Sequence, residues 1–512
     1  MKPYYLTTAI DYSNGDPHLG HALEKVGADA IARWHRLRGE PVRFLMGMDE
    51  NAQKVIQAAE AAGRTPAEWL DAMSERFRTT WERLECTPDV WMRTTEPRHA
   101  RGVIALIEAI RARNPNDLYQ GEYQGLYCVG CEEYKSESQV VDGRCIEHPS
   151  RELVLTRERN TFFRLSRWRD AVLEAINTGK FRVEPAIRRN EVLRVLEAGL
   201  QDISISRSRA AWGIPFSGAP DETVYVWFDA LINYLSATGY PDPEYQHLWP
   251  ADLHVVGKGI TRFHCIIWPA MLMAAEVELP KQVWAHGYVQ WGGAKVSKSE
   301  GTSVSLDDAI SHRGPDALRW FLLREVGFEN DGDFSFERFD SRYDGDLANG
   351  LGNLASRVTA MLEKYRGGVV PTPPEALERD QIGNPLYGLN PAWKQIHSLF
   401  NQAMSDNALK DAASSISQYV TTANSYIVEN APWTLAKAGD DARLDTVLHA
   451  LATCLFRLAV MTSPFMPAKA QALWTALGQP GSPETAWARA ETPDIGGANV
   501  VKPDNLFPKP AA

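Results

Sequence analysis

YYLTTAIDYSNGDPHLGHAL, residues 4–23, decides the reading of the fold. Its opening, YYLTTAI, is rich in the β-branched and aromatic residues that suit a strand. A helix follows at once, with Asp16 as the expected cap and Pro17 as its first residue. Leu19, Leu23, Val26, Ala30, Trp34 and Leu37 recur at helical spacing, and Gly39 is the expected stop. PVRFLMGMD (41–49) repeats the pattern, with a second helix expected from about Asn51 through Ala62. Strand, helix, strand is the rhythm of a parallel α/β sheet, whose functional groups gather at the carboxyl ends of its strands. Packing explains neither His18 nor His21.

A chain of 512 residues exceeds one ordinary core, and two to four domains are expected. Hydrophobic residues make up 44% and charged residues 23%, a globular balance. No uninterrupted apolar run is long enough for a bilayer, and MKPYYLTT lacks a signal-peptide core, so a cytoplasmic location is expected. The net charge of −11 argues against a surface coated all over by nucleic acid, while leaving room for local basic patches. Lys and Arg outnumber Asp and Glu between residues 151 and 210. A nearby nucleic-acid stem and a solvated surface explain that excess equally well.

From about Leu118 the texture turns to glycines, clustered cysteines and arginines, and the α/β rhythm returns near Thr223 in TVYVWFDALINYL and then ADLHVVGKG. One α/β domain carrying an insertion is the simplest reading. After about Asp340 strand signals vanish, and long helical patterns broken by PTPPEALERDQIGNP imply a helix bundle. The end, DNLFPKPAA, reads as a tail.

YCVGCEEYKSESQVVDGRCIEH (127–148) places Cys128 and Cys131, then Cys145 and His148, as two knuckles. Four such ligands suit a tetrahedral Zn²⁺ with no open position, hence a structural ion. The alternative is a chance grouping of thiols. Cys86, Cys265 and Cys454 stand alone and are expected in cores. Downstream, AHGYVQWGGAKVSKSEGTS holds Lys295 and Lys298 in a Gly- and Ser-rich loop behind a strand. Such lysines can swing onto phosphates, although a solvated loop is the commoner use of this composition.

HLGH resembles the HIGH signature, and KVSKS the KMSKS signature, of class I aminoacyl-tRNA synthetases. TTAIDYSNGDPHLGH, GMDEN, YCVGC, ISRSRAAWGIPF, YVWFDALINY, VVGKGITRFHCIIWPAML, LANGLGNLASR and ENAPW resemble segments of the methionyl-tRNA synthetase family. The resemblance implies a Rossmann-like catalytic domain in two halves, 1–115 and 212–270, around a connective insertion with a zinc knuckle at 116–211. It also implies a stem-contact region with the KVSKS loop at 271–340 and a helical anticodon-binding domain at 341–512. ATP is then bound by His18, Gly20, His21, Lys295, Ser297, Lys298 and Ser299. His18, His21, Lys295 and Lys298 would be catalytic through charge stabilisation, with no covalent nucleophile. Gly20 would let adenine approach the backbone.

Methionine would be lined by Ile10, Tyr12, Trp227, Tyr234, Phe263, His264 and Ile267, with Asp49 on its ammonium. Asn349, Asn353 and Arg357 recur every four residues and would share one face, reading the anticodon together with Trp433. The implied partners are ATP with Mg²⁺, L-methionine and methionine-accepting tRNA, initiator and elongator. With no appended dimerisation domain visible, a monomer is expected. Asp11, Asn51 (for histidine), Ala52 (for glycine), Val296 and Ile267 depart from the family's pattern. Asp11 is expected either to face water or, less favourably, to join Asp49 at the ammonium. A sister class I synthetase and a tRNA-binding relative without catalysis are the alternative readings.

Overall fold

The computed structural model describes residues 2–128, 133–135, 140–146, 148–208, 212–291, 294–295, 304–372 and 389–509. At its centre is a seven-stranded sheet. Arg182–Glu184, Gln282–His286, Leu253–Gly257, Tyr4–Thr8 and Val42–Asp49 lie side by side, and both Asp11–Tyr12 and Val90–Arg93 pair with Val42–Asp49. Every pairing is parallel. The chain runs outward from Tyr4–Thr8 to one side through Val42–Asp49, and later returns on the other side at Leu253–Gly257. The carboxyl end of Tyr4–Thr8 is therefore the point where strand order reverses, where α/β sheets open a ligand crevice.

Both faces of the sheet are covered, as a parallel sheet requires. Alternation sends Leu6, Phe44, Met46 and Val255 into a core shared with the helix Leu19–Leu37 and the C-terminal helices. Tyr5, Leu45 and Val256 enter a second core with Leu106, Tyr234 and Trp268. Trp34, on the first helix, meets Phe400 and Trp487 edge-on, with ring centroids 5.5 and 4.7 Å away. The α/β half and the bundle are thus packed on one another.

Two strands lie outside the stretches expected to hold the sheet: Arg182–Glu184 comes from within 116–211 and Gln282–His286 from within 271–340. The segment Ala219–Val224 does not resume the central sheet but joins a separate three-stranded antiparallel one, so the α/β rhythm returns at Leu253. In the insertion, Leu118–Cys128 and Val154–Phe163 form a long antiparallel pair.

The bundle contains Leu389–Ser405, Leu409–Asn430, Asp441–Thr462 and Pro467–Ala476. Asp441–Thr462 passes a length-and-composition test for a bilayer span, but Arg443, Asp445 and Arg457 interrupt it and 78% of its most apolar window is buried inside the protein. Its hydrophobicity serves the core. The expected tail is docked: Leu506 and Phe507 are buried, Phe507 packs where Gly352 leaves room, and Tyr343 Oη donates to the carbonyl of Pro508 at 2.9 Å.

Candidate active site

The helix Leu19–Leu37 begins two residues later than expected, and its cap is His18, not Asp16. His18 has extended backbone, and its Nδ1 accepts the amides of Gly20 at 3.1 Å and His21 at 3.3 Å. The His18 amide donates in turn to His21 Nδ1 at 3.3 Å, an imidazole version of the capping box. Asp16 fails as a cap because these donors already have acceptors. A Cβ at residue 20 would stand 3.0 Å from His18 Cε1, so glycine is needed for the ring to fold back over the helix start. The two rings stack 3.7 Å apart. Because both Nδ1 atoms accept, each neutral ring carries its proton on Nε2. Two N–H donors are thereby set at the positive end of a helix, beside the reversal point of the sheet.

Next to this, Tyr12 sits in register with Asp49 at the strand ends, and Ser13 fixes the Asp49 carbonyl through its amide and hydroxyl at 3.3 and 2.8 Å. Asp49 itself is buried. Ile10 lies against Gly47, its Cγ2 3.1 Å from where a Cβ would stand. Trp227 stacks on Phe263, ring centroids 4.2 Å apart. Phe263, His264 and Ile267 all belong to one widened, π-helical turn, Phe263–Ile267, a distortion common at functional sites.

The Ile260 carbonyl can only accept, so His264 Nδ1 donates to it at 3.0 Å and Tyr234 Oη donates to Nε2 at 2.7 Å. Burial pulls the His264 imidazolium down to about 4, so the ring is neutral at physiological pH. Beneath Tyr234 lies His254, also held neutral by burial, 2.6 Å from Thr7 Oγ1. Sequence reading missed His254; its lone position in an apolar strand gave no signal.

Asp11 takes neither expected orientation. Its carboxylate turns into the protein, 3.0 Å from Lys25 Nζ, and accepts the Trp81 indole N–H at 3.0 Å. Lys25 also donates to Glu24 at 2.7 Å and to the Ala9 carbonyl at 2.6 Å. Burial pushes the Asp11 carboxyl up to about 6 against the pull of Lys25. A lysine one turn into the helix, spaced far from Asp11 in sequence, supplied the partner that made inward burial possible.

Lys295 lies in a short hairpin strand paired with Val289–Trp291, without a described side chain, and Ser297, Lys298 and Ser299 fall outside the described residues. Of the expected zinc ligands, Cys128 and Cys145 are buried, Cys131 is outside the described residues, and His148 is placed by its backbone, opposite Cys145. Cys86, Cys265 and Cys454 are core residues, as expected.

The description "tRNA synthetases class I (M)" matches residues 4–359, and "Anticodon binding domain of methionyl tRNA ligase" matches residues 389–511. The chain belongs to the methionyl-tRNA synthetase family. Its curated relatives include a methionine–tRNA ligase of Thermotoga maritima, 41% identical over 91% of this chain and 73% of the relative. One from Streptomyces coelicolor is 40% identical over 100% and 98%. A solved Mycobacterium tuberculosis methionyl-tRNA synthetase in complex with methionyl-adenylate is similar with TM-score 0.93 and 38% identity, covering 99% of this chain and 100% of that one.

In this methionyl-tRNA synthetase chain three of the four anticodon candidates, Asn349, Asn353 and Arg357, lie on one continuous helical stretch, 336–366. Asn349 sits in its π-helical part and Asn353 opens the following α-helix; both are exposed and line one cavity of about 760 Å³. Arg357 donates to Asn424 at 3.3 Å. Trp433 follows Ala431, whose φ of +42° turns the chain into a new helix, and is 49% exposed. An exposed tryptophan at a helix start is unusual for a core residue and suits a stacking partner.

Proposed function

We propose that the chain activates methionine with ATP and charges methionine tRNA. A methionine carboxylate oxygen attacks the α-phosphorus of ATP, the bond to the β-phosphate oxygen breaks, and pyrophosphate leaves. A terminal hydroxyl of the tRNA then attacks the activated carbonyl, and AMP leaves. The observation that carries this reading is the juxtaposition at the sheet's reversal point. The amino end of a helix, with the Nε2–H groups of His18 and His21, follows the strand Tyr4–Thr8, and the buried carboxylate Asp49 ends its parallel neighbour Val42–Asp49. The stacked Trp227–Phe263 pair includes a residue just beyond the parallel strand on the other side, Leu253–Gly257.

Here His18 and His21 meet the phosphates, Gly20 lets adenine approach the backbone, and Lys295, Ser297, Lys298 and Ser299 also bind ATP. The work is positioning and charge stabilisation, with no covalent intermediate on the protein. Asp49 holds the ammonium. Ile10, Tyr12, Trp227, Tyr234, Phe263, His264 and Ile267 read the side chain by shape, as suits a flexible thioether. Because Tyr234 donates to His264 and His264 to a carbonyl, both protons of the pair are engaged, and the pair would meet the sulfur as part of the pocket's fixed shape.

Among the described residues no group of three His, Cys, Asp or Glu is placed to hold a metal. Mg²⁺ would bind together with the phosphates of ATP, where it would supply charge neutralisation. Cys128, Cys131, Cys145 and His148 would hold a structural zinc; the burial of both described thiols and the Cys145–His148 pairing fit that donor set. Metal analysis should find one zinc per chain, and a zinc-free active protein would remove that assignment. Asn349, Asn353, Arg357 and Trp433 read the anticodon of initiator and elongator methionine tRNA, and the enzyme works as a monomer in the cytoplasm. The direct test is charging of purified tRNAs with labelled methionine. Methionine tRNA alone should be charged; charging of none, or of other tRNAs equally well, would overturn the reading.

A further inference from the structure

Behind the aromatic wall lies a buried polar chain that the proposed reaction does not use. Asn51, two residues beyond Asp49, donates through Nδ2 to Asp229 Oδ2 at 2.7 Å and to the Thr94 carbonyl at 3.1 Å. Asp229 Oδ1 lies 2.5 Å from His99 Nε2, and His99 Nδ1 lies 2.8 Å from Ser236 Oγ. Asp229 and His99 are fully buried, and Ser236 and Asn51 nearly so, at 1% and 7% exposure. A carboxylate is expensive to bury unless its oxygens are bonded, and here each oxygen has one N–H donor. Apolar side chains in its place would fill the same interface at lower cost.

The chain connects what the pocket needs held together. Asp229 sits between Trp227 and Tyr234 on the short helices Val226–Leu231 and Asn233–Ser236. Asn51 and Thr94 follow the carboxyl ends of Val42–Asp49 and Val90–Arg93, and His99 opens the helix Pro97–Arg113. Trp227 stacks on Phe263, and Tyr234 bonds His264, so any slide of their helix moves the whole wall relative to Asp49. Apolar packing tolerates such a slide; a carboxylate bonded from two sides does not.

We propose that Asn51 and His99 are positioning residues which, by holding Asp229, fix the distance between the aromatic wall and Asp49 and so set the affinity for methionine. This inference rests on the methionine-activating reading. Its test is methionine-dependent ATP–pyrophosphate exchange, read as separate KM and kcat values, on the wild-type chain, Asn51→Ala and Asn51→His. Histidine can also present an N–H to Asp229, so it is the conservative variant.

Asn51→Ala should raise the methionine KM at least tenfold while the ATP KM stays within about twofold. Asn51→His should recover most of that loss, and Asp229→Asn combined with Asn51→Ala should be no worse than Asp229→Asn alone. An unchanged methionine KM in Asn51→Ala, equal rises for methionine and ATP, or no recovery with histidine would overturn the proposal. If Asn51→Ala does not fold, the comparison of Asn51→His with the double variant's additivity partner, Asp229→Asn, still decides: a normal methionine KM in Asp229→Asn overturns it. A wild-type chain with no methionine-dependent exchange would instead sink the underlying reading.

Discussion

At the scale of single residues, the most informative position is Asp11, because it breaks the family's pattern next to the substrate pocket and yet turns away from it. Its carboxylate is held by Lys25 and Trp81. Asp11→Asn keeps the size and the Trp81 contact but leaves Lys25 with Glu24 and a carbonyl only. The loss should be on the order of 3 kcal/mol in unfolding free energy, the usual cost of removing one partner of a buried pair. The methionine KM should change less than about threefold, under about 0.7 kcal/mol. A tenfold rise in KM with unchanged stability would show that the carboxylate reaches the ammonium after all. His18 and His21 stood out in the sequence as anomalies, since two polar rings at a helix start are not explained by apolar periodicity. Their mutual capping did not, because histidine is outside the residues that sequence rules accept as caps. The inward turn of Asp11 was equally hidden: a 14-residue separation from Lys25 becomes a contact only through the strand–helix geometry.

At the scale of elements, the first strand showed through its β-branched and aromatic content, being buried on both faces, and the signature helix and the bundle through their periodic apolar faces. The periodicities failed where pairing is non-local. Nothing in Ala219–Val224 distinguishes a separate antiparallel strand from a central parallel one, and Arg182–Glu184 is too short to carry a period. The helix Pro315–Phe321 illustrates how elements are locked by buried polar groups. Asp316, 2% exposed, accepts the amide of Lys469 at 2.6 Å, while its Oδ1 has no hydrogen-bond partner among the described residues. Burial, with Glu85 nearby, pushes this carboxyl up to about 7, against the amide bond that favours its charge. In the unfolded chain a carboxyl of this type ionises near pH 4. Between about pH 4 and 7 the native state therefore holds a proton that the unfolded state has lost, and stability falls as pH rises through that window. Asp316→Asn removes the group. The wild type should lose stability relative to Asp316→Asn between pH 5 and pH 8 in denaturant titrations. Parallel pH profiles for the two proteins would contradict the assignment.

At the scale of the whole molecule, the signature helix is tied to the bundle as well as to the sheet. Asp29 on that helix lies 2.8 Å from Arg319 Nη2, and Arg319 in turn donates to the carbonyls of Pro464 and Phe465 at 2.8 and 2.9 Å. Rigid packing of this kind keeps the two sites at a fixed separation, and chemistry and tRNA recognition should still separate under mutation. Trp433→Ala, on an exposed helix start far along the chain from the pocket, should leave methionine-dependent exchange unchanged. It should lower charging efficiency by a factor of about 5 to 150, from the roughly 1–3 kcal/mol of one lost base stack. Loss of exchange in the same variant would make Trp433 a structural residue. The central claim is that the histidine-capped helix and the aromatic pocket beside it together activate one amino acid, methionine. ATP–pyrophosphate exchange measured with each of the twenty amino acids in turn tests it most directly. Exchange with methionine should stand far above that with every other amino acid; exchange driven by another amino acid, or by none, would rule out methionine activation at this site.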